Sequence, residues 1–192
     1  MNKNYALNSN VTKVSSIKEM LDLAVKEAGD KNAFEYRDEV NHDNIIEVTY
    51  KEFVRDTDEL GTALASLGMA DKHIAMIGEN SYKWLTVYLT VLKSTGVFVP
   101  IDRELPCKDI INVLKHSDSE VLFYSEKYEK WIDEIKENVP NIKFFIGLNR
   151  KKHNGNILSY DIFKENGKNV LEQGSKIYTE LENDENKLKL LV

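Results

Sequence analysis

Apolar residues recur three and four apart from position 17 onward: Ile17, Met20, Leu21, Ala24, Val25 and Ala28. That spacing predicts an amphipathic helix. Ser16-x-x-Glu19 reads as a capping box opening it, and Gly29 as its stop. Two short runs, 34–36 and 45–48, flank the polar segment 37–44 and predict a β-hairpin. Thr49-x-x-Glu52 is a second capping box. It opens a helix with Phe53, Thr57, Leu60, Leu64 and Leu67 on one face, ended by Gly68. Residues 73–77 then read as a strand closed by Gly78. A helix over about 81–94 carries Trp84, Leu85, Val87, Tyr88, Leu89, Val91 and Leu92. It is apolar nearly all round, so it is buried on more than one side.

The stretch 92–106, LKSTGVFVPIDRELP, compresses a helix end, a strand, a turn and a helix start. Gly96 is expected to take the left-handed conformation that ends the preceding helix. Residues 97–99 are wholly apolar, as a strand covered on both faces would be. Pro100 has no N–H to donate and is expected to end its pairing, while Pro106 suits a first helical position.

Beyond it, Ile110, Ile111 and Leu114 mark the inward face of a helix with His116 near its end. Residues 121–124 read as a strand, and Tyr128, Trp131, Ile132 and Ile135 mark a helix stopped before Pro140. Residues 142–146 form another strand candidate, 149–156 a polar loop, and 160–173 a weaker helix interrupted by Gly167. The stretch 180–186 is acidic and loop-like, and 188–192 reads as a final strand. Strands near 74, 98, 122, 144 and 190 alternate with helices, which predicts an α/β fold: a doubly wound, mostly parallel sheet with helices on both faces. Residues 1–14 form a polar arm and 15–192 one α/β unit.

Composition narrows the function classes. The 192 residues are 42% hydrophobic and 30% charged, and carry a net charge of −6, from 26 basic and 32 acidic groups. A mildly acidic chain argues against a nucleic-acid groove. No stretch approaches the roughly 18 apolar residues of a transmembrane span, and the polar N-terminus offers no signal-peptide core. The single cysteine, Cys107, excludes an internal disulfide framework and fits a cytoplasmic setting.

Known catalytic fingerprints are missing from the sequence. There is no GxGxxG, no GxxxxGK[ST] and no GxSxG. The four histidines, His42, His73, His116 and His153, show no metal-ligand spacing among themselves or with Cys107, so no metal site is expected. His116 complements a helix dipole, and Trp84 and Trp131 read as core anchors. Cys107 begins a helix, where the dipole would lower its pKa, but with no base nearby in sequence it reads as a packing residue. Glu126 and Asp133 read as solvated helix charges. Gly78-Glu79-Asn80-Ser81 lies at a strand's carboxyl end, where Asn80 or Ser81 can cap the next helix. In open α/β sheets ligands bind at such ends, so Glu79, Asn80, Asp102 and Arg103 are the cleft-edge candidates. No catalytic or cofactor-binding residue is assigned.

Three blocks together resemble one family. VTYKEF at 48–53 resembles its Thr-Tyr-x-Glu-Leu entry segment, IGENSYKW at 77–84 its Gly-x-Asn-Ser-x-x-Trp block, and residues 92–106 its Leu-Lys-x-Gly-x-x-x-x-Pro-Ile/Leu-Asp segment. The family is the AMP-forming acyl-adenylate synthetases: acyl-CoA synthetases, luciferases and peptide-synthetase adenylation domains. Phe53 in place of Leu, and Ser94-Thr95 in place of a small pair, are minor departures. FKENGKNVLEQG at 163–174 and the KLKLLV end are similar to the long-chain fatty acyl-CoA ligase branch.

The resemblance implies an enzyme that uses ATP, Mg²⁺ and coenzyme A to convert a carboxylic acid, by likeness a fatty acid, into an acyl-adenylate and then a thioester. It further implies that these residues are an N-terminal portion stopping short of the family's phosphate loop, inactive alone. Thr49, Tyr50, Glu52, Gly96, Pro100 and Asp102 would be architectural, with Asp102 bracing its turn. A homodimer through the N-terminal arm is compatible with this reading. The alternative is a stand-alone flavodoxin-like module that binds a ligand or a protein without catalysis.

Overall fold

The structure, a computed structural model, describes residues 12–38, 41, 43–181 and 186–192. Most of the expected arm, His42 and most of the acidic stretch 180–186 lie outside the described residues. Helix α1 (Ile17–Ala28) begins at Ser16, whose hydroxyl accepts from the Glu19 N–H. Strands β1 (Asn32–Arg37) and β2 (Ile45–Thr49) form the antiparallel hairpin. Both halves of the capping box at Thr49 and Glu52 are made, and they start α2 (Tyr50–Ser66) at Tyr50. Gly68, at φ 70°, reverses the chain after it.

The second sheet holds β3 (His73–Ile77), β4 (Val97–Pro100), β5 (Val121–Tyr124), β6 (Phe144–Gly147) and β7 (Ile157–Ser159), all parallel, in the order β4-β3-β5-β6-β7. Helix α3 (Tyr82–Lys93) links β3 to β4 on one face, and α4 (Cys107–His116) carries the chain back past β3 to β5 on the other. A 3-10 turn (Glu126–Trp131) runs into α5 (Ile132–Asn138), and α6 (Tyr160–Glu172) follows β7. The strand order therefore reverses between β3 and β5, which is the topological switch point of the sheet.

Each apolar face buries its own core. Val87, Val91 and Phe163 cover Ile74, Met76 and Phe123 on the α2/α3/α6 side, while Ile110, Leu114 and Ile135 cover Ala75, Leu122 and Phe145 on the α4/α5 side. A third cluster, with Leu21, Val48 and Phe53, seats the hairpin and α1 on α2.

Several local expectations change. Gly96 is not left-handed; it is required by close approach, since a Cβ there would lie 2.8 Å from the Ala70 carbonyl oxygen. Pro100 stays in register with Met76, and Ile101 N–H still donates to Met76 O at 2.9 Å, so pairing runs one residue past the proline. Pro106 is the N-cap of α4 and not its first residue. Gly167 does not interrupt α6. It lets α6 lie against α2, where a Cβ would be 2.0 Å from the Glu59 carbonyl oxygen. Strand β7, between the expected loop and the expected helix, went unforeseen because three residues carry too little pattern. Residues 188–192 pair with β4 only through a parallel bridge at Leu190 and Phe98.

Candidate functional site

Four loops converge at the carboxyl edge of the parallel sheet. At the switch point the Ser125 hydroxyl, first residue after β5, donates to the Glu79 carboxylate after β3 at 2.6 Å. That bond holds the Glu79 carboxyl below the usual carboxylate range. Gly78 fits closely here, because a Cβ on it would stand 3.2 Å from the Ser125 Cβ. The Tyr128 hydroxyl donates to the Arg103 carbonyl at 2.9 Å and so pins the loop after β4 to the same corner. Asp102 accepts from the Glu104 N–H at 2.9 Å, bracing its own turn. Arg103 sits 3.3 Å from the Glu104 carboxylate. Glu79, Asp102 and Arg103 thus lie around one exposed rim. Asn80 departs from them and lines a separate cleft.

That cleft, of about 510 Å³, opens between the hairpin and the first turns of α3 and α6. Its walls are the Tyr36 and Tyr82 rings, stacked at 5.2 Å between centroids and 12° between planes. Asp56, on α2, accepts from the Tyr82 hydroxyl at 2.9 Å and from Lys164 at 2.8 Å. Lys83 donates to Asp161 at 2.7 Å and to the Leu148 carbonyl at 2.8 Å, with its Nζ 5.0 Å from the centre of the Tyr160 ring. Burial, then the Asp56 charge, pushes the Tyr82 phenol far above its ordinary value. It is a neutral hydrogen-bond donor and no base. The cleft therefore offers aromatic walls and paired charges suited to holding something in place. Nothing in it forms a nucleophile–base pair.

No group of His, Cys, Asp and Glu among the described residues is arranged to hold a metal ion. Burial, with Glu134 nearby, raises the Cys107 thiol to about 11, the opposite of activation by a helix dipole. Sequence reasoning reached Glu79, Asn80, Asp102 and Arg103 from their positions after strands. It missed Ser125, although that residue too directly follows a strand. It also missed Asp56, Tyr82 and Lys164, which only tertiary packing brings together.

The fold agrees with a comparison of the whole chain. Residues 21–182 match the family described as AMP-binding enzyme. The chain belongs to that family. Among relatives of this AMP-binding chain, the uncharacterized acyl-CoA ligase YtcI of Bacillus subtilis (strain 168) is 32% identical over 102 residues, covering 52% of this chain and 19% of the relative. The 4-hydroxybutyrate–CoA ligase 2 of Metallosphaera sedula is 28% identical over 120 residues, covering 62% and 21%. The match thus spans about a fifth of these ligases' length. The crystal structure of the anthranilate CoA ligase AuaEII, in complex with anthranoyl-AMP, superposes with a TM-score of 0.70 at 18% identity, over 82% of this chain and 29% of that one. The N-terminal domain of FACL13 from Mycobacterium tuberculosis gives 0.62 at 22%, over 70% and 34%. These likenesses establish the α/β fold as that of the N-terminal domain of AMP-forming ligases. No helix among the described residues is long and apolar enough to cross a membrane.

Proposed function

We propose that this chain supplies the N-terminal α/β portion, residues 15–192, of an ATP-dependent, AMP-forming acyl-CoA ligase. Such an enzyme activates a carboxylic acid to an acyl-adenylate and passes the acyl group to coenzyme A. The observation that carries the reading is the family match over 21–182, which runs from α1 to beyond α6. Relatives named as acyl-CoA ligases support the reaction class. A long-chain fatty acid as substrate rests on the likeness of residues 163–174 to that branch. A cytoplasmic setting rests on the single cysteine, and a homodimer on the polar arm.

We place the nucleotide chemistry outside these residues. Mg²⁺ would need carboxylates turned toward a shared point, and among the described residues no such set exists. Lys83 and Lys164, the ammonium groups lining the cleft, are already paired with Asp161 and Asp56. We therefore assign no catalytic step to this chain and expect it to be inactive alone. The rival reading, a flavodoxin-like binding module, draws its support from the cleft beside Asn80.

The deciding experiment is ATP–pyrophosphate exchange with carboxylic acids of graded length, run on the 192 residues and on any longer product of the same reading frame. Exchange by the longer product, strongest with long acyl chains, is the expected outcome. Exchange by the 192 residues alone overturns the inactivity. Preference for short or aromatic acids overturns the fatty-acid assignment, and absence of exchange from every product leaves the binding-module reading in possession.

A further inference from the structure

Past α6 the chain turns at Gly174, φ 89°, and its described residues 175–181 recross α2 and α3 without a regular element. Among the described residues 173–192 only one, Tyr178, is buried, at 3% exposed. Its ring occupies a notch in α2 that exists because residue 61 is glycine: a Cβ on Gly61 would lie 2.2 Å from the ring. Its hydroxyl donates to the Thr90 carbonyl of α3 at 2.7 Å. Lys93, bonded to Asp58 at 2.6 Å, sits with its Nζ 6.0 Å from the ring centre. One residue later the Thr179 carbonyl accepts from Lys18 on α1.

Farther along, the same segment meets the sheet. Phe98 N–H donates to Lys189 O at 2.9 Å and Leu191 N–H to Phe98 O at 3.0 Å. The Lys189 ammonium adds a bond to the Ser94 carbonyl. Leu188 and Leu190 are exposed and Leu191 is only partly buried against the α4/α5 core, so little apolar burial holds this strand down. A strand tied to an edge by so few bonds has a low local opening energy. Its closure depends on how near its other end is held.

We infer that Tyr178 is a pin that keeps residues 186–192 in register on β4, so that this edge of the sheet opens and closes with the seating of one ring in the Gly61 notch. Seated, the ring fixes the chain eleven residues before Lys189, and the edge strand stays at high effective concentration beside Phe98. Unseated, the segment keeps the end of α6 and the single Lys18–Thr179 bond as its tethers, and an open β4 edge regains its unpaired backbone groups.

Single-amide hydrogen exchange on the 192-residue chain tests this. The Phe98 and Leu191 amides report the strap, whereas Ile101 N–H, bonded to Met76 O, reports the other side of β4. Gly61→Ala evicts the ring without touching the strap, and alanine favours helix more than glycine does, so α2 itself is not weakened. In Gly61→Ala and Tyr178→Ala, exchange at Phe98 and Leu191 should quicken about twofold, as the tether to Lys189 lengthens from Tyr178 back to the end of α6, with Ile101 unchanged. Tyr178→Phe, which keeps the ring and loses one hydrogen bond, should give a smaller change in the same direction. It carries the test if either other variant fails to fold. Unchanged Phe98 and Leu191 rates in the folded variants, or an equal acceleration at Ile101, overturn the inference.

Discussion

The Ser125 hydroxyl and the Glu79 carboxylate, 2.6 Å apart, join the loops after β5 and β3 where the strand order of the sheet reverses. A crevice at a switch point is ordinarily splayed by helices departing to opposite faces. Here a charge-assisted bond closes its floor, and Tyr128 fastens the loop carrying Arg103 beside it. The rim is therefore preorganised although Glu79, Asp102 and Arg103 are each exposed.

Ser125→Ala should cost about 1 kcal/mol of stability, less than the ~1.5–3 kcal/mol usual for a bond to a charged group because Glu79 is solvated. The pH dependence identifies the bond. Glu79 has a folded pKa below the ordinary glutamate value. Its contribution is thus present above the unfolded pKa and lost as pH falls through the folded one. Urea unfolding at pH 7 and at pH below 4 should show the gap between wild type and Ser125→Ala shrinking with acid. A gap that stays constant would mean that Ser125 acts only through packing.

Glu59 titrates in the opposite sense. Its side chain is 5% exposed, with Lys164 and Arg55 each 3.6 Å away. Burial raises its pKa, outweighing the attraction of Lys164. A carboxyl whose folded pKa is raised contributes stability below the unfolded pKa that is lost as pH rises through the folded value. Glu59→Gln removes this term, so the wild type should gain on the variant as pH drops from 7 toward 5. Parallel stability curves for the two proteins over that interval would contradict the assignment.

Gly167→Ala tests the contact between α2 and α6. Helix propensity alone would make alanine favourable by about 1 kcal/mol. The added methyl would sit 2.0 Å from the Glu59 carbonyl oxygen and 2.7 Å from the Ala63 amide nitrogen, and backbone cannot swing aside as a side chain can. A net loss of about 2 kcal/mol is expected, typical of overpacking, seen as a lowered thermal midpoint. Unchanged or raised stability would show that α6 slides freely on α2.

These cases also show which parts of the fold a sequence displays. Apolar runs such as 97–99 and 121–124 are visible because a strand covered on both faces needs no polar alternation. The capping box at Thr49 and Glu52 is visible because both partners fall within one turn. Gly96 and Gly167 mislead when read locally: the carbonyls of Ala70 and Glu59, not the dihedral angles, require glycine there. Strand β7 is only three residues long, and its pairing with β6 supplies what its pattern lacks. For the site, chain order alone puts Glu79, Asn80, Asp102 and Arg103 at the carboxyl edge. Their separation into a rim and a cleft depends on Ser125 and Tyr82 reaching across elements, which no spacing encodes.

Asp56 organises that cleft, and its two bonds make a quantitative test. One carboxylate oxygen accepts from the Tyr82 hydroxyl and the other from Lys164, while Asp56 is largely withdrawn from water. Tyr82→Phe removes one bond and leaves the ring stacked on Tyr36. Asp56→Ala removes both and leaves the Lys164 ammonium with Glu59 at 3.6 Å as its remaining partner. A double-mutant cycle on Asp56 and Tyr82 should return a coupling of about 1–2 kcal/mol, as for a part-buried hydrogen bond to a charge. The cycle is read from denaturant midpoints at pH 7, where Tyr82 is neutral. A coupling near zero would mean that the hydroxyl is as well solvated without Asp56 as with it, and the cleft would then be shaped by ring packing alone.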